Sequence, residues 1–162
     1  MLLEDLYAMP GHLIRRSQQI AVALFMEETA AFGVTPVQYA ALVAIREQPD
    51  VDATRLSLLI ALDRSTIGSV LLRLESKGLI QRRSGADDRR IKLLRITERG
   101  SALLTRIGTA VERAQERMLA PLAPAERCQF MTMLTRLVHL NNRYSRVPLQ
   151  AIAAASEAKP SS

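Results

Sequence analysis

Hydrophobic residues recur at helical spacing along most of the chain, and the clearest case lies between residues 63 and 78. One apolar stripe at positions i, i+3, i+4 and i+7 is formed there by Ile67, Val70, Leu71 and Leu74. Asp63 precedes the stripe as a candidate N-cap, and Gly78 follows it as a residue that tolerates positive φ where a helix ends. The pattern predicts an amphipathic helix whose outer face carries small hydroxyl residues, Leu72 and Arg73.

Three more helices are predicted before this one. The first runs from Pro10, a residue favoured in a first turn, to about residue 31. The second begins with Thr35, Pro36 and Gln38, which can form a capping box around a first-turn proline, and continues to about residue 47. A short third helix, with Asp52 as its predicted cap, covers residues 53–60, and a tight turn joins it to the amphipathic helix. These last two helices form a predicted helix-turn-helix.

Two strands and a charged loop follow the helix-turn-helix. Residues 79–83 and 90–96 are predicted as strands, and the turn-rich segment 84–88 connects them. The apolar residues of the second strand fall on both faces, so the pattern leaves its inward side open. Residues 82–95 hold six Lys or Arg and two Asp, a net charge of +4. Such a hairpin would reach the backbone or minor groove of DNA, and a basic hairpin without a partner is the alternative.

The end of the chain predicts two long helices, over residues 98–119 with Thr97 as cap and over residues 125–144. A winged helix-turn-helix is complete in about 90 residues, so the terminal helices bury their apolar faces best against a second copy of the chain. The predicted fold is mainly α with a small β-hairpin wing. We expect four regions: an N-terminal dimerisation helix (1–34), a winged helix-turn-helix DNA-binding region (35–97), C-terminal dimerisation helices (98–147) and a mobile tail (148–162).

The composition narrows the kind of partner that the chain can bind. The 162 residues carry a net charge of +6 and a pI of about 10.2, which indicates a polyanion such as nucleic acid or an anionic membrane. A basic protein without such a partner is the alternative. No apolar run is long enough to span a membrane, and Glu4 and Asp5 argue against a signal peptide, so we expect a cytoplasmic protein.

Catalysis is disfavoured by the residues present. The sequence has no phosphate-binding glycine loop and no nucleophile motif, so we expect no enzyme activity and no cofactor. His12, His139 and Cys128 lack the spacing of metal ligands. As the single cysteine, Cys128 excludes an internal disulfide, and we expect it to be an inert, packed thiol.

The order of several motifs resembles the MarR family of winged helix-turn-helix transcription regulators over about residues 10–146. The most specific part is Asp88-x-Arg90 followed by Ile96-Thr97-x-x-Gly100. The matching segments are 33–39 (GVTPVQY), 62–66 (LDRST), 74–80 (LESKGLI), 88–90 (DRR) and 94–100 (LRITERG).

The resemblance implies a homodimer with intertwined terminal helices that binds a pseudo-palindromic operator, usually as a repressor. Arg90 matches the wing arginine that enters the minor groove, and Asp88 matches the aspartate that holds it by an ion pair. Arg73 contacts either a guanine edge or a phosphate, with both alternatives open. The predicted DNA-binding set is Arg64, Ser65, Thr66, Ser69, Arg73, Arg83, Asp88, Arg89 and Arg90.

The start of the first long helix is similar to that of family members that control the breakdown of aromatic acids. His12 and Arg16, one turn apart, would bind a carboxylate or a hydroxylated ring, and Tyr39 would add a phenol or a stacking face. Alternatively, Arg16 pairs with an acid such as Asp5 and Tyr39 is a packing residue. A regulator that senses oxidants through cysteine, or a winged-helix module for protein contacts without specific DNA binding, are the competing functions.

Overall fold

The computed structural model describes residues 2–85 and 90–150. This part folds into helices and one small sheet, and short 3-10 turns at Ala30–Phe32 and Asn142–Tyr144 follow two of the helices. The elements in chain order are α1 (Leu3–Ala8), α2 (Pro10–Glu28), α3 (Pro36–Glu47), β1 (Val51–Asp52), α4 (Ala53–Leu59), α5 (Arg64–Ser76), β2 (Ile80–Ser84), β3 (Lys92–Ile96), α6 (Glu98–Leu119) and α7 (Pro124–Asn141).

The cap of α3 is the one that the sequence predicts. The Gln38 backbone N–H donates to Thr35 Oγ1 and the Thr35 N–H donates to Gln38 Oε1, each over 3.3 Å. The end of α2 comes earlier than predicted, at Glu28, and a 3-10 turn covers the next residues. The Thr29 hydroxyl donates to the Phe25 carbonyl there (2.7 Å), a bond that competes with continued helix.

The helix α1 was not predicted from the sequence, which indicated only a short lead-in before Pro10. Its first turn is closed by the Asp5 carboxylate, which accepts the Leu2 N–H over 2.7 Å. Two turns of helix give too short an apolar pattern to be recognised by periodicity.

The three-stranded antiparallel sheet has the order β1-β3-β2. The central strand β3 pairs Leu94 with Val51 on one side and with Arg82 on the other. Leu94 is only 1% exposed, which settles the inward side of this strand, whereas Ile91 lies outside it and is exposed. The strand β1 has two residues and no alternation to detect, and it was missed. Below, "the wing" means the hairpin formed by β2 and β3.

The core lies where α3, α4, α5 and the start of α6 meet the sheet. Its fully enclosed large side chains are Leu42, Ile45, Leu56, Leu71, Leu74, Leu94 and Ile107. In contrast, α7 has no buried residue, and α1 and the first half of α2 also expose their apolar side chains. Within the described ranges, no helix is long and apolar enough to cross a membrane.

The chain after α7 returns to the helix-turn-helix. The Gln150 N–H donates to the Leu58 carbonyl (3.0 Å), and Arg55 Nη1 donates to Gln150 Oε1 (3.1 Å). Asn142 holds this return segment through two hydrogen bonds with the Leu149 backbone, of 2.8 and 3.1 Å. The first residues of the predicted tail therefore contact α4, and residues 151–162 lie outside the described part.

Candidate nucleic-acid interface

The helix-turn-helix is formed by α4 and α5. Asp52 caps α4 by accepting the Arg55 N–H over 2.9 Å. The turn that follows places Ala61 at φ +50° and brings the Leu62 N–H to the Ser57 carbonyl (2.9 Å). Positive φ is unfavourable for alanine, so the surrounding packing fixes this turn and with it the angle at which α5 leaves α4.

The inner face of α5 consists of the four predicted residues Ile67, Val70, Leu71 and Leu74, all buried. The outer face carries Ser65, Ser69, Leu72, Arg73 and Ser76, all exposed. The Ser69 and Ser76 hydroxyls donate to backbone carbonyls of their own helix, over 2.8 and 2.9 Å. Their oxygens therefore face solvent mainly as acceptors, and the helix presents a smooth outer surface.

One predicted feature of α5 is wrong. Asp63 occupies the N-cap position, but its carboxylate makes no capping hydrogen bond. Its backbone carbonyl accepts the Thr66 and Ile67 N–H groups instead. The carboxylate lies 3.9 Å from the Arg146 guanidinium, which belongs to the segment after α7. The sequence cannot reveal a competing cation so distant along the chain.

Arginines flank α5 at both ends. Arg64 lies in its first turn, where Nη2 is 3.5 Å from Thr54 Oγ1, and it lines a small cavity of about 220 Å³ beside α4. Arg73 lies in the last turn with an exposed side chain. Lys77, just beyond the helix, donates to the Gly33 carbonyl and thereby ties the end of α5 to the loop before α3. Gly78 then ends the helix at φ +67°, as predicted.

The wing adds further cations. Arg83 is exposed in β2, and Arg90 is exposed just before β3. Arg82 is half-buried, with its Nε 3.0 Å from the Glu75 carboxylate of α5, although the N–H does not point along that line. A cleft of about 570 Å³ between the wing and the start of α4 is lined by Arg82, Arg90 and Lys92 together with Asp52 and Thr54. The predicted residues Asp88 and Arg89 lie outside the described residues.

A pair that the sequence did not indicate fixes the base of the wing. Arg95 of β3 donates to both carboxylate oxygens of Asp50, with 2.6 Å between Nε and Oδ1. These hydrogen bonds lower the pKa of Asp50 and raise that of Arg95. Asp50 stands at φ +65°, a conformation that aspartate tolerates better than most residues. In the sequence, Asp50 is visible only as part of a helix-breaking segment.

The residues predicted to bind an effector are not gathered within the chain. The His12 ring lies 5.6 Å from the Tyr7 ring, Arg16 is exposed, and the Tyr39 ring lies 5.9 Å from the Phe25 ring. His12 and Phe25 are thirteen residues apart on α2, which corresponds to about 20 Å along the helix. The geometry therefore places His12 and Tyr39 at opposite ends of α2.

The remaining candidate chemistry is sparse. Cys128 is exposed on α7, which has no buried residue, so the prediction of a packed thiol is wrong. In the part of the chain that the structure describes, no group of three or more His, Cys, Asp or Glu side chains could hold a metal ion.

A helix-turn-helix with a small polar outer face, followed at once by a basic hairpin, defines a winged-helix DNA-binding protein. The comparison with known families makes this specific. The chain belongs to the MarR family, whose model matches residues 34–92.

Related proteins span nearly the whole fold. A protein assigned as the transcriptional regulator of the hcr operon in Thauera aromatica is 38% identical over 128 residues, covering 78% of this chain and 77% of that protein. The crystal structure of the PcaV regulator from Streptomyces coelicolor with its natural ligand gives a TM-score of 0.74 at 34% identity, covering 86% of this chain and 98% of that one. The repressor CouR bound to a 23-mer DNA duplex gives a TM-score of 0.76 at 25% identity, covering 85% and 98%. The chain is thus similar to DNA-binding transcription regulators.

Proposed function

We propose that this chain forms a homodimer that represses transcription from a pseudo-palindromic operator and is released by a small aromatic acid. The observation that carries the DNA-binding part is the orientation of α5. Its four apolar residues are locked in the core, so the small outer face is held towards solvent with Arg64 and Arg73 at its ends. A helix of this kind can enter a major groove closely.

The DNA-binding residues then divide into two groups. Ser65, Thr66 and Ser69 meet base edges, and Arg73 contacts a guanine edge or a phosphate. The wing binds the adjacent minor groove and backbone through Arg83, Arg89 and Arg90, and Asp88 holds Arg90 by an ion pair. The similarity to CouR, whose structure contains a DNA duplex, supports this arrangement.

Dimer formation is supported by the apolar surface of the terminal helices. Phe130, Leu137 and Val138 of α7 are all exposed in the protomer. A groove of about 450 Å³ between α2, α6 and α7 is lined mainly by apolar side chains, including Leu13, Ile14 and Phe130. Contiguous apolar surface of this kind marks an interface, and a second copy related by two-fold symmetry covers the same patch on both chains.

The effector site uses His12, Arg16 and Tyr39. About 20 Å along α2 separates His12 from Phe25, whose ring lies beside that of Tyr39. One small ligand can therefore touch all three effector residues only if Tyr39 comes from a different protomer than His12 and Arg16. We therefore place His12 and Arg16 of one protomer opposite Tyr39 of the other. The structure of PcaV contains its natural ligand, which supports a ligand-responsive regulator. The description of CouR as a transcriptional repressor supports repression.

The first experiment titrates the full-length protein with DNA fragments from upstream of its own gene, at several salt concentrations. We expect tight binding to one fragment with a steep salt dependence, and a dimer by light scattering. Arg90→Ala should weaken binding and reduce the salt slope by about two, one for each protomer. Arg106→Ala, which removes the same charge from α6, is the control. Weak binding that ignores sequence would instead favour a protein-interaction module.

The effector is tested separately by screening aromatic carboxylates for a rise in the melting temperature. A compound that also releases the DNA fragment from the wild-type protein is then tested on Arg16→Ala. We expect the variant to bind DNA normally and to lose the response. An unchanged response would remove Arg16 from the ligand site while leaving DNA binding intact.

A further inference from the structure

One residue on the outer face of α5 differs in chemistry from its neighbours. Leu72 is 61% exposed. At 100° per residue, Ser65 and Ser76 lie within about 40° of it around the helix axis, whereas the buried Val70 and Leu74 both lie about 160° away. Leu72 therefore points almost directly away from the core, at the centre of the surface that would enter the groove.

The exposure of Leu72 is unusual for this part of the molecule. Among described residues from 27 to 85, it is the only large hydrophobic side chain that is exposed. The other large hydrophobic side chains that are exposed lie on the terminal helices, at their flanks or at the tip of the wing. The proposed dimer accounts for much of that surface. It does not account for Leu72, which lies on the face of α5 that points away from the core.

The surroundings of Leu72 favour a close apolar contact. A Cβ built on Gly68, one turn earlier, would meet nothing within 4 Å, so the backbone there is open to a close approach. The hydroxyls of Ser69 and Ser76 donate within their own helix, so they offer few donors that would hold water at the surface. Arg64 and Arg73 supply the charge that attracts a phosphate backbone on either side.

We propose that Leu72 reads thymine by contacting its 5-methyl group in the major groove. This inference rests on the proposed function and adds its base specificity. Thymine alone presents a methyl group there, while the other bases present polar edges. Pressing a leucine against those polar edges removes their water without giving a hydrogen bond, which disfavours the wrong base. Leu72 thus selects thymine both by attraction and by exclusion.

The test begins with a duplex selected from a random library by the full-length wild-type protein. Each thymine is then replaced by deoxyuridine, which removes the methyl group and keeps the base pairing. We expect one thymine in each half-site to matter. Its replacement in one half-site should weaken binding about fourfold, the value of one buried methyl, and replacement in both half-sites should weaken it about fifteenfold.

The matched variants assign the effect to Leu72. Leu72→Ala should bind the thymine and deoxyuridine duplexes equally, and Leu72→Met, which keeps an apolar contact, should restore most of the discrimination. Equal binding of both duplexes by the wild type, or an unchanged ratio in Leu72→Ala, would overturn the inference while leaving operator binding established. A selection that yields no preferred sequence would overturn the proposed function and this inference together.

Discussion

Arg95 of β3 donates hydrogen bonds from two of its guanidinium nitrogens to the carboxylate of Asp50, the residue that precedes β1. The Asp50 N–H donates to the Leu94 carbonyl over 3.0 Å, so the backbone and the side chain of one residue both hold the same strand. Asp50 is the last turn residue between α3 and the sheet. The pair therefore fixes the base of the wing to the turn between α3 and β1.

Replacing Asp50 with Asn should loosen the wing without disturbing the turn. Asparagine tolerates positive φ but cannot form the ion pair. We expect the operator affinity to fall about twofold to fivefold, as for a partly exposed pair, with a normal circular dichroism spectrum. Fluorescence anisotropy with the selected duplex measures this change. Glu47→Gln, which breaks the exposed pair with Arg46 on α3, is the matched control, and an equal effect of both variants would contradict a role for the wing base.

Stability should fall on the acid side because two carboxylates have lowered pKa values. Hydrogen bonds from Arg117 and Arg113 lower the pKa of Glu28 below its ordinary 4.5, and Arg95 lowers that of Asp50 below 3.8. In the pH range between each lowered pKa and its ordinary value, the unfolded chain binds more protons, so the stabilisation is present above about pH 4.5 and is lost as the pH falls through the lowered values.

Chemical denaturation between pH 3 and pH 7 checks this sign. Glu28→Gln should lower the free energy of unfolding at neutral pH and flatten its fall at acid pH. The variant has no carboxylate at position 28 whose pKa differs between the folded and unfolded states. Glu116→Gln, at an exposed position of α6, serves as the comparison. A wild-type protein that gains stability below pH 4.5 would contradict the assignment.

Gly100 in α6 should not tolerate a side chain. A Cβ there would collide with the Leu79 carbonyl oxygen and would stand 2.7 Å from Ile96 Cγ1. We expect Gly100→Ala to destabilise the protein by about 1–3 kcal/mol, because the backbone at Leu79, just before β2, must move. Gly68→Ala on α5 meets open space and should instead stabilise by about 0.5–1 kcal/mol. Denaturant titrations compare the two at one fixed protein concentration, because the stability of the proposed dimer would depend on concentration.

Truncation of two neighbouring leucines of α5 should change the stability of the protein to very different extents. Leu71 is 2% exposed and belongs to the core, so Leu71→Ala should cost about 2–5 kcal/mol of unfolding free energy. Leu72 faces solvent, so Leu72→Ala should change stability by less than about 0.5 kcal/mol. Similar losses in both variants would mean that α5 is rotated relative to the orientation described above.

The parts of the fold that could be predicted from the sequence are those with a local cause. Periodicity identified the buried face of α5, and caps at Thr35, Asp52 and Thr97 located three helix starts, each with its hydrogen bond. The parts that could not be predicted depend on residues far apart in the chain. Asp63 turns towards a cation beyond α7, and Asp50 pairs with an arginine across the wing. No local pattern records such pairs.

The residues predicted to bind DNA lie on one surface, whereas those predicted to bind a ligand do not, for the same reason. Ser65, Ser69 and Arg73 share one helix, so their common face follows from the helical repeat. His12 and Tyr39 belong to different helices, and their separation depends on how α2 and α3 cross. A spacing of one turn between His12 and Arg16 gives no information about that crossing.

The hydrogen bond between the Gln150 N–H and the Leu58 carbonyl has a mechanical consequence. From Leu58 the backbone continues through α5, the wing, α6 and α7 and returns to α4 at Gln150, so this hydrogen bond and the one from Arg55 to Gln150 fasten the segment after α7 to α4. A change in the angle between α6 and α7 must either carry α4 with it or break these two hydrogen bonds. A movement of α7 thus has two distinct outcomes: it is transmitted to α4 while these bonds hold, and it leaves α4 in place once they break.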